Sequence, residues 1–247
     1  MSVRPCILIP TYNNPQTIRG VVEAARAYLT DVVVVDDGGN AESRRVLEQI
    51  HEDGLAMVVH RARNGGKGAA VMSGFEAARA AGFSHALQID GDGQHDVRVI
   101  PDFLEAGRMN PSALVIGYPS YDESVPKHRL FARKFTNFWV NLEVGGSDII
   151  RDAMVGVRLY PLAIVEQLGV RGTRMDFDVE IAVRYAWTEL GVINLPVPVR
   201  YLDEEEGGVS HFRLFEDNLR FSILHSRLCI TRMFSRVFRR SPRILLP

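Results

Sequence analysis

The sequence is poor in sulfur chemistry. It holds two cysteines, Cys6 and Cys229, in 247 residues. No CxxC pair and no Cys/His spacing suited to zinc is present. A single disulfide joining the two ends of the chain would be an odd staple, so a reducing compartment is expected. Long apolar runs are also missing. None approaches the 18 residues a membrane-spanning helix needs, and the opening MSVRPCILIP lacks the pattern of a signal peptide. Charge of one sign is absent as well. The net of −1 excludes a uniformly basic nucleic-acid coat. No internal repeat and no linker divides the chain.

What is present is an ordinary folding composition, 46% hydrophobic and 24% charged. The length suits one sizeable α/β domain. The charge is unevenly spread. Residues 212–247 hold eight arginines, no lysine and two acids, Glu216 and Asp217, a net of +6 that leaves −7 on the rest. We therefore divide the chain into a domain over 1–211 and a basic amphipathic tail over 212–247.

Along the first half, strand and helix patterns alternate. Residues 6–10, 32–35, 57–60, 85–90 and 113–117 read as buried strands. Residues 14–29, 42–51, 67–81 and 97–109 have helical spacing between them. Strands alternating with helices of this length predict a mostly parallel, Rossmann-like sheet covered on both faces. In the second half, 129–144, 176–190 and 214–238 read as helices. Residues 154–160 and 192–201 read as strands, and the acidic 203–208 as a mobile loop.

Such folds bind ligands at the carboxyl ends of their strands. The first strand ends in Pro10-Thr11-Tyr12-Asn13-Asn14, an aromatic ring with amides. The second ends in Asp36-Asp37-Gly38-Gly39. Either acid could cap the next helix, and either could accept a hydrogen bond from a ribose or a base. The fourth ends in Asp90-Gly91-Asp92-Gly93-Gln94-His95. Carboxylates brought together in a tight turn repel unless a cation sits between them. A hard divalent ion with open positions for phosphate oxygens fits. An EF-hand does not, because its twelfth position would be Pro101. Asn64-Gly65-Gly66-Lys67-Gly68 opens a helix but lacks the P-loop spacing, and no GxGxxG follows the first strand. It reads either as a helix N-terminus whose amides and Lys67 face an anion, or as a glycine turn with a solvated lysine.

Taken in order, IPTYNN (9–14), VVDDG (34–38), NGGKGAA (64–70), DGDGQH (90–95), DAMVGVR (152–158), DFDVE (176–180) and GGVSHFR (207–213) resemble the family 2 glycosyltransferases of GT-A fold, and within them the dolichyl- or polyprenyl-phosphate sugar synthases. The resemblance implies a metal-dependent, inverting transfer from a nucleotide-diphosphate sugar, UDP or GDP, to a membrane lipid. A polyprenyl phosphate is the expected acceptor, at the cytoplasmic face of a membrane.

It also implies residue roles. Pro10, Thr11, Tyr12, Asn14, Asp37, Lys67, Asp90, Gly91, His211 and Arg213 would bind the donor. Asp90, Asp92 and Gln94 would hold Mg²⁺ or Mn²⁺. Arg129, Arg133 and Lys134 would meet the acceptor phosphate. Asp92, Asp152, Arg158 and Asp178 would serve catalysis, with Arg158 also placed to meet that phosphate. The chain departs from the family at Asn14, where Glu is usual, at His211, where Lys is frequent, and after the fifth strand, where Arg is missing.

A hydroxyl acceptor would need a general base, for which Asp152, Asp176, Asp178 and Glu180 are candidates. Two readings of other kinds are a sugar-1-phosphate nucleotidyltransferase and a non-catalytic nucleotide-sugar or membrane-binding module. The tail interleaves Arg with bulky apolar residues. It suits an interfacial helix on anionic lipid, a helix packed on the domain with a solvated basic face, or an oligomer contact. No RNA-binding motif accompanies its charge, so no nucleic-acid partner is expected.

Overall fold

The computed structural model describes residues 3–121, 127–199 and 214–237. The expected loop at 203–208 and the positions His211 and Arg213 lie outside the described residues.

Among the described residues, seven strands form one sheet, in the order β3-β2-β1-β4-β6-β5-β7. They are β1 (Pro5–Thr11), β2 (Val32–Asp36), β3 (Met57–His60), β4 (His85–Gln88), β5 (Leu114–Tyr121), β6 (Arg158–Pro161) and β7 (Val192–Val199). β1 runs parallel to β2 and β4, β2 to β3, and β5 to β7. Only β6 is reversed, between β4 and β5. The expectation of a mostly parallel sheet is met.

The alternation of side chains builds the layers. Ile7, Ile9, Val32 and Val34 enter one core with α1 (Ile18–Arg26), α2 (Ala41–Glu52) and α4 (Ile100–Met109). Cys6, Leu8, Val33 and Val35 enter a second core with α3 (Lys67–Ala80) and α7 (Asp176–Ala186), to which the short α6 (Leu162–Val165) adds Leu162 and Val165. A third cluster joins α5 (Lys127–Val144), α7 and α8 (Leu214–Val237) through Val140, Val144, Val179, Val183, Phe221, Leu224 and Leu228.

Several boundaries differ from the sequence reading, each for a local reason. α1 starts at Ile18, not at 14, because Asn13 adopts a left-handed φ of 56° and a turn intervenes. β6 starts at Arg158, not at 154. The amides of Met154 and Val155 bond the Asp152 carboxylate and fold that stretch into a turn. β5 runs on to Tyr121, paired with β7 throughout. α7 stops at Ala186, and Glu189 (φ 63°) and Gly191 (φ 96°) turn the chain toward β7.

Candidate active site

The carboxyl ends of β1, β2 and β4 lie side by side, as the strand order requires. Pro10 and Thr11 are buried there, and Tyr12 and Asn14 are half-buried. The Asn14 side chain accepts from the Tyr12 amide at 3.4 Å, and the Thr17 hydroxyl donates to the Gly91 carbonyl at 2.8 Å. The last bond fastens the start of α1 to the turn after β4.

Neither Asp36 nor Asp37 caps α2. Asn40 does, accepting from the Ser43 amide at 2.9 Å. Asp36 accepts from the Gly39 amide at 2.7 Å and pairs with His60 Nδ1 at 2.9 Å. Asp37 is buried. Its oxygens accept from Arg61 Nη1 (2.6 Å) and the amides of Gly65 (3.0 Å) and Gly66 (2.7 Å). The carboxylate is spent on shaping the 64–66 loop that faces the site. Gly66 is required in that loop, since its φ is 98° and a Cβ would stand 2.7 Å from the Thr173 carbonyl.

Lys67 is neither solvated nor aimed at open space. Its Nζ lies 2.9 Å from the Asp90 carboxylate and 2.9 Å from Asp178 Oδ2. Burial opposes its charge, but Asp178 and Asp90 outweigh that and hold the ammonium above its ordinary range. Asp90 is held low in turn. Burial opposes its charge, and Lys67, with help from His95, overcomes it. Asp92 is pushed up, by burial first and by the neighbouring Asp90 charge second. A further cation beside Asp92 would relieve that repulsion. The Asp92 carboxylate also accepts from the Gln94 amide at 3.0 Å, which turns the loop back on itself.

The residues fit a hard divalent ion. Two half-buried carboxylates at one turn are oxygen donors of the type Mg²⁺ and Mn²⁺ take, together with substrate phosphate. His95 adds to this: its Nδ1 is buried with no hydrogen-bond partner among the described residues. Two further residues matter that the sequence reading did not single out. Gly156 approaches Asp90 so closely that a Cβ there would lie 1.9 Å from Asp90 Oδ2. Gln88, fully buried, steadies Asp90 through its side-chain amide at 3.3 Å.

Arg158 is a correction. It is fully buried, donating to the carbonyls of Val155 (2.9 Å), Asp178 (2.5 Å) and Ala153 (2.6 Å). It positions the strand β6 entry and α7 and offers no donor to an acceptor phosphate. Asp152 has structural partners as well. It is buried, held by Arg133 Nη1 at 2.8 Å and by the Met154 and Val155 amides. That bond also ties down Arg133, whereas Lys134 is exposed. The Arg129 side chain lies outside the described residues.

Of the acids named as bases, Glu180 is fully buried. Its oxygens are taken by Arg184, Arg227 and the amides of Arg171 and Gly172. Asp178 is bound to Lys67, with Arg158 Nη1 a further 3.8 Å away. Asp176 is half-buried and accepts from the Arg174 amide.

A helix-flanked, mostly parallel sheet with paired carboxylates at the end of β4 defines a GT-A architecture. Residues 6–159 match the model of glycosyl transferase family 2, and the chain belongs to that family as a glycosyltransferase. Among its relatives is an undecaprenyl-phosphate mannosyltransferase of Micrococcus luteus, 27% identical over 83% of this chain and 86% of that protein. Another is a polyprenol monophosphomannose synthase of Mycolicibacterium smegmatis, 25% identical over 84% of this chain and 80% of that protein. The fold is shared with glucosyl-3-phosphoglycerate synthase from Mycobacterium tuberculosis, solved with Mn²⁺, UDP and glucosyl-3-phosphoglycerate. That match has a TM-score of 0.61 and 16% identity, and spans 95% of this chain and 80% of that one. The nucleotidyltransferase and binding-module readings are thereby set aside.

Proposed function

We propose that the protein moves a sugar from a UDP or GDP sugar to a polyprenyl phosphate at the cytoplasmic face of a membrane, with inversion at the anomeric carbon. In this reading a non-bridging oxygen of the lipid phosphate forms the new bond to the anomeric carbon. The bond from that carbon to the donor phosphate breaks, and the nucleoside diphosphate leaves with the electron pair. Asp90 and Asp92, with Gln94, would hold Mg²⁺ or Mn²⁺, which when bound neutralises charge on the diphosphate.

The protein's own residues do the rest. Pro10 to Asn14 and the Asp37-held loop at 64–66 wall the nucleotide side. The half-buried Lys67 keeps Asp90 ionised and aimed into the turn. His211 and Arg213, expected at the leaving diphosphate, lie outside the described residues.

The observation that carries the reading is the distribution of carboxylates. Asp90 and Asp92 form a pair whose repulsion a further cation would relieve. Glu180 and Asp152 are held by Arg227 and Arg133, Asp178 by Lys67, and the half-buried Asp176 has the Arg174 amide on one oxygen. A phosphate nucleophile is already ionised and needs no general base, whereas a hydroxyl needs one. The named relatives act on undecaprenyl phosphate or polyprenol, which supports the same acceptor class.

The test is titration of UDP and GDP into the protein with and without Mn²⁺, followed by sugar transfer to polyprenyl phosphate and to hydroxyl acceptors. The reading expects Mn²⁺-dependent binding of one nucleotide, lost in Asp92→Asn with the melting curve intact, and transfer to the phosphate only. Transfer to a hydroxyl, or binding indifferent to Mn²⁺, would overturn it.

A further inference from the structure

Helix α8 is apolar on two opposite faces. Phe221, Leu224 and Leu228 are buried against α5 and α7. This inner face is pinned by His225 to Glu143 (2.7 Å) and by Arg227 to Glu180 (2.7 Å). Leu219, Ile223, Ile230 and Met233 are each more than half exposed. At about 100° per residue they fall within an arc of roughly 80°, on the side opposite the buried face. The neighbouring α5 carries two further exposed rings, Phe135 and Phe138, each more than half exposed.

The two helices are linked by rings. Trp139 meets Phe135 at 6.3 Å and Phe138 at 5.6 Å, and stacks on His225 of α8 at 6.1 Å. The exposed apolar groups therefore belong to one rigid pair of helices, larger than the scattered single residues a soluble surface carries.

Two observations choose the occupant. First, the small polar residues beside the stripe are turned inward. Ser222 and Ser226 donate their hydroxyls to the carbonyls of Asn218 and Ser222, one turn back. Hydroxyls satisfied within the helix tolerate an apolar surrounding. Second, the flanks are basic. Arg220 is exposed beside the stripe, as is Lys134 on α5. Residues 212–247 carry +6 against −7 on the rest. A second copy meeting through this face would add like charges at Arg220 and Lys134, whereas an anionic lipid surface complements them.

We infer that the outer faces of α5 and α8 form one plateau that seats the protein on an anionic bilayer. The inference rests on the lipid-acceptor reading above and names the surface that brings the site to that acceptor. Unlike a free interfacial helix, α8 does not detach to bind, since its inner face stays packed on the domain.

The experiment is co-sedimentation of the full chain with vesicles of phosphatidylcholine alone and of phosphatidylcholine with phosphatidylglycerol. Wild type binds the anionic vesicles at least about tenfold more tightly than the neutral ones. Ile223→Glu, and separately Phe138→Ser, weakens that binding by about tenfold or more while Mn²⁺-dependent nucleotide binding stays unchanged. No binding by wild type, or equal binding by both variants, overturns the inference. So does a dimer that Ile223→Glu dissociates in the absence of any vesicle contact. Transfer to a short, water-soluble prenyl phosphate without vesicles reads the acceptor separately. Its failure beside intact vesicle binding overturns the acceptor reading and upholds the surface.

Discussion

The Lys67 ammonium and the Asp178 carboxylate meet at 2.9 Å, joining the first residue of α3 to the first turn of α7 across the top of the sheet. The same ammonium touches Asp90 at the end of β4. One cation thus serves two carboxylates that approach from opposite halves of the fold, in a place where burial makes each charge depend on its partner. Asp92 has no such contact with the ammonium: burial first and the Asp90 charge second push its carboxyl up, while Asp90 is held low.

Lys67→Met should remove the shared counter-charge and keep most of the side-chain volume. Unfolding free energy should fall by about 3–5 kcal/mol, the usual cost of leaving a buried charge without its partner. Mn²⁺ should then restore more stability to the variant than it adds to wild type, because it replaces a missing cation. Denaturant melts with and without Mn²⁺ measure both effects. Equal stability and equal Mn²⁺ response would show that Lys67 does not hold these acids.

Gly156→Ala should damage the site more than the fold. The new Cβ would stand 1.9 Å from Asp90 Oδ2, so the carboxylate must swing away. We expect Mn²⁺-dependent nucleotide binding to weaken by tenfold or more, about 1.4 kcal/mol, with a small change in melting temperature. Titration calorimetry beside a thermal melt separates the two. Unchanged nucleotide affinity would mean that Asp90 keeps its place by another route.

How far the sequence could be read follows from these same residues. Periodicity found every strand, because a buried strand is written in consecutive or alternating apolar residues. The strand-end rule then led to Asp36, Asp37, Asp90 and Asp92. It could not tell which acid would be spent on structure, because that depends on partners distant in the chain. Asp37 is bound by the 61–66 stretch, Glu180 by Arg227, and Asp178 by Lys67. Arg158 was the most misleading. An arginine in a family motif suggests a phosphate contact, and only its burial among three carbonyls shows otherwise. The two-faced character of α8 was hidden because its tail reads as basic and apolar throughout, without showing which apolar residues the domain covers.

Arg158→Lys should test that burial. A lysine offers one compact ammonium where three carbonyls and Asp178 are now met by a planar fork. Stability should drop by about 2–4 kcal/mol, since buried acceptors lose their donors. Activity should fall through displacement of Asp178, so the effect should appear without a selective rise in acceptor KM. A folded variant of wild-type stability with a weakened acceptor alone would return Arg158 to the phosphate.

His85 supplies a pH test remote from the site. It is buried at the start of β4, its Nδ1 2.9 Å from the Ser84 hydroxyl and its Nε2 2.9 Å from the Pro111 carbonyl. A neutral ring satisfies both, donating from Nε2 and accepting at Nδ1. Burial holds its pKa below 6.5, and the Pro111 carbonyl offsets this only in part. Below about pH 6.5 the unfolded chain therefore binds the proton more readily than the folded one. The contribution of His85 is full above that value and is lost as the pH falls. His85→Gln removes the titration and keeps a donor for Pro111. The stability gap between wild type and variant should accordingly shrink between about pH 8 and about pH 5, because wild type alone declines through this group. Denaturant melts across that range read it directly. A gap that stays constant would mean that folding does not shift His85, and one that widens toward acid would mean that the folded protein favours the charged ring over the neutral one bonded to Ser84 and Pro111.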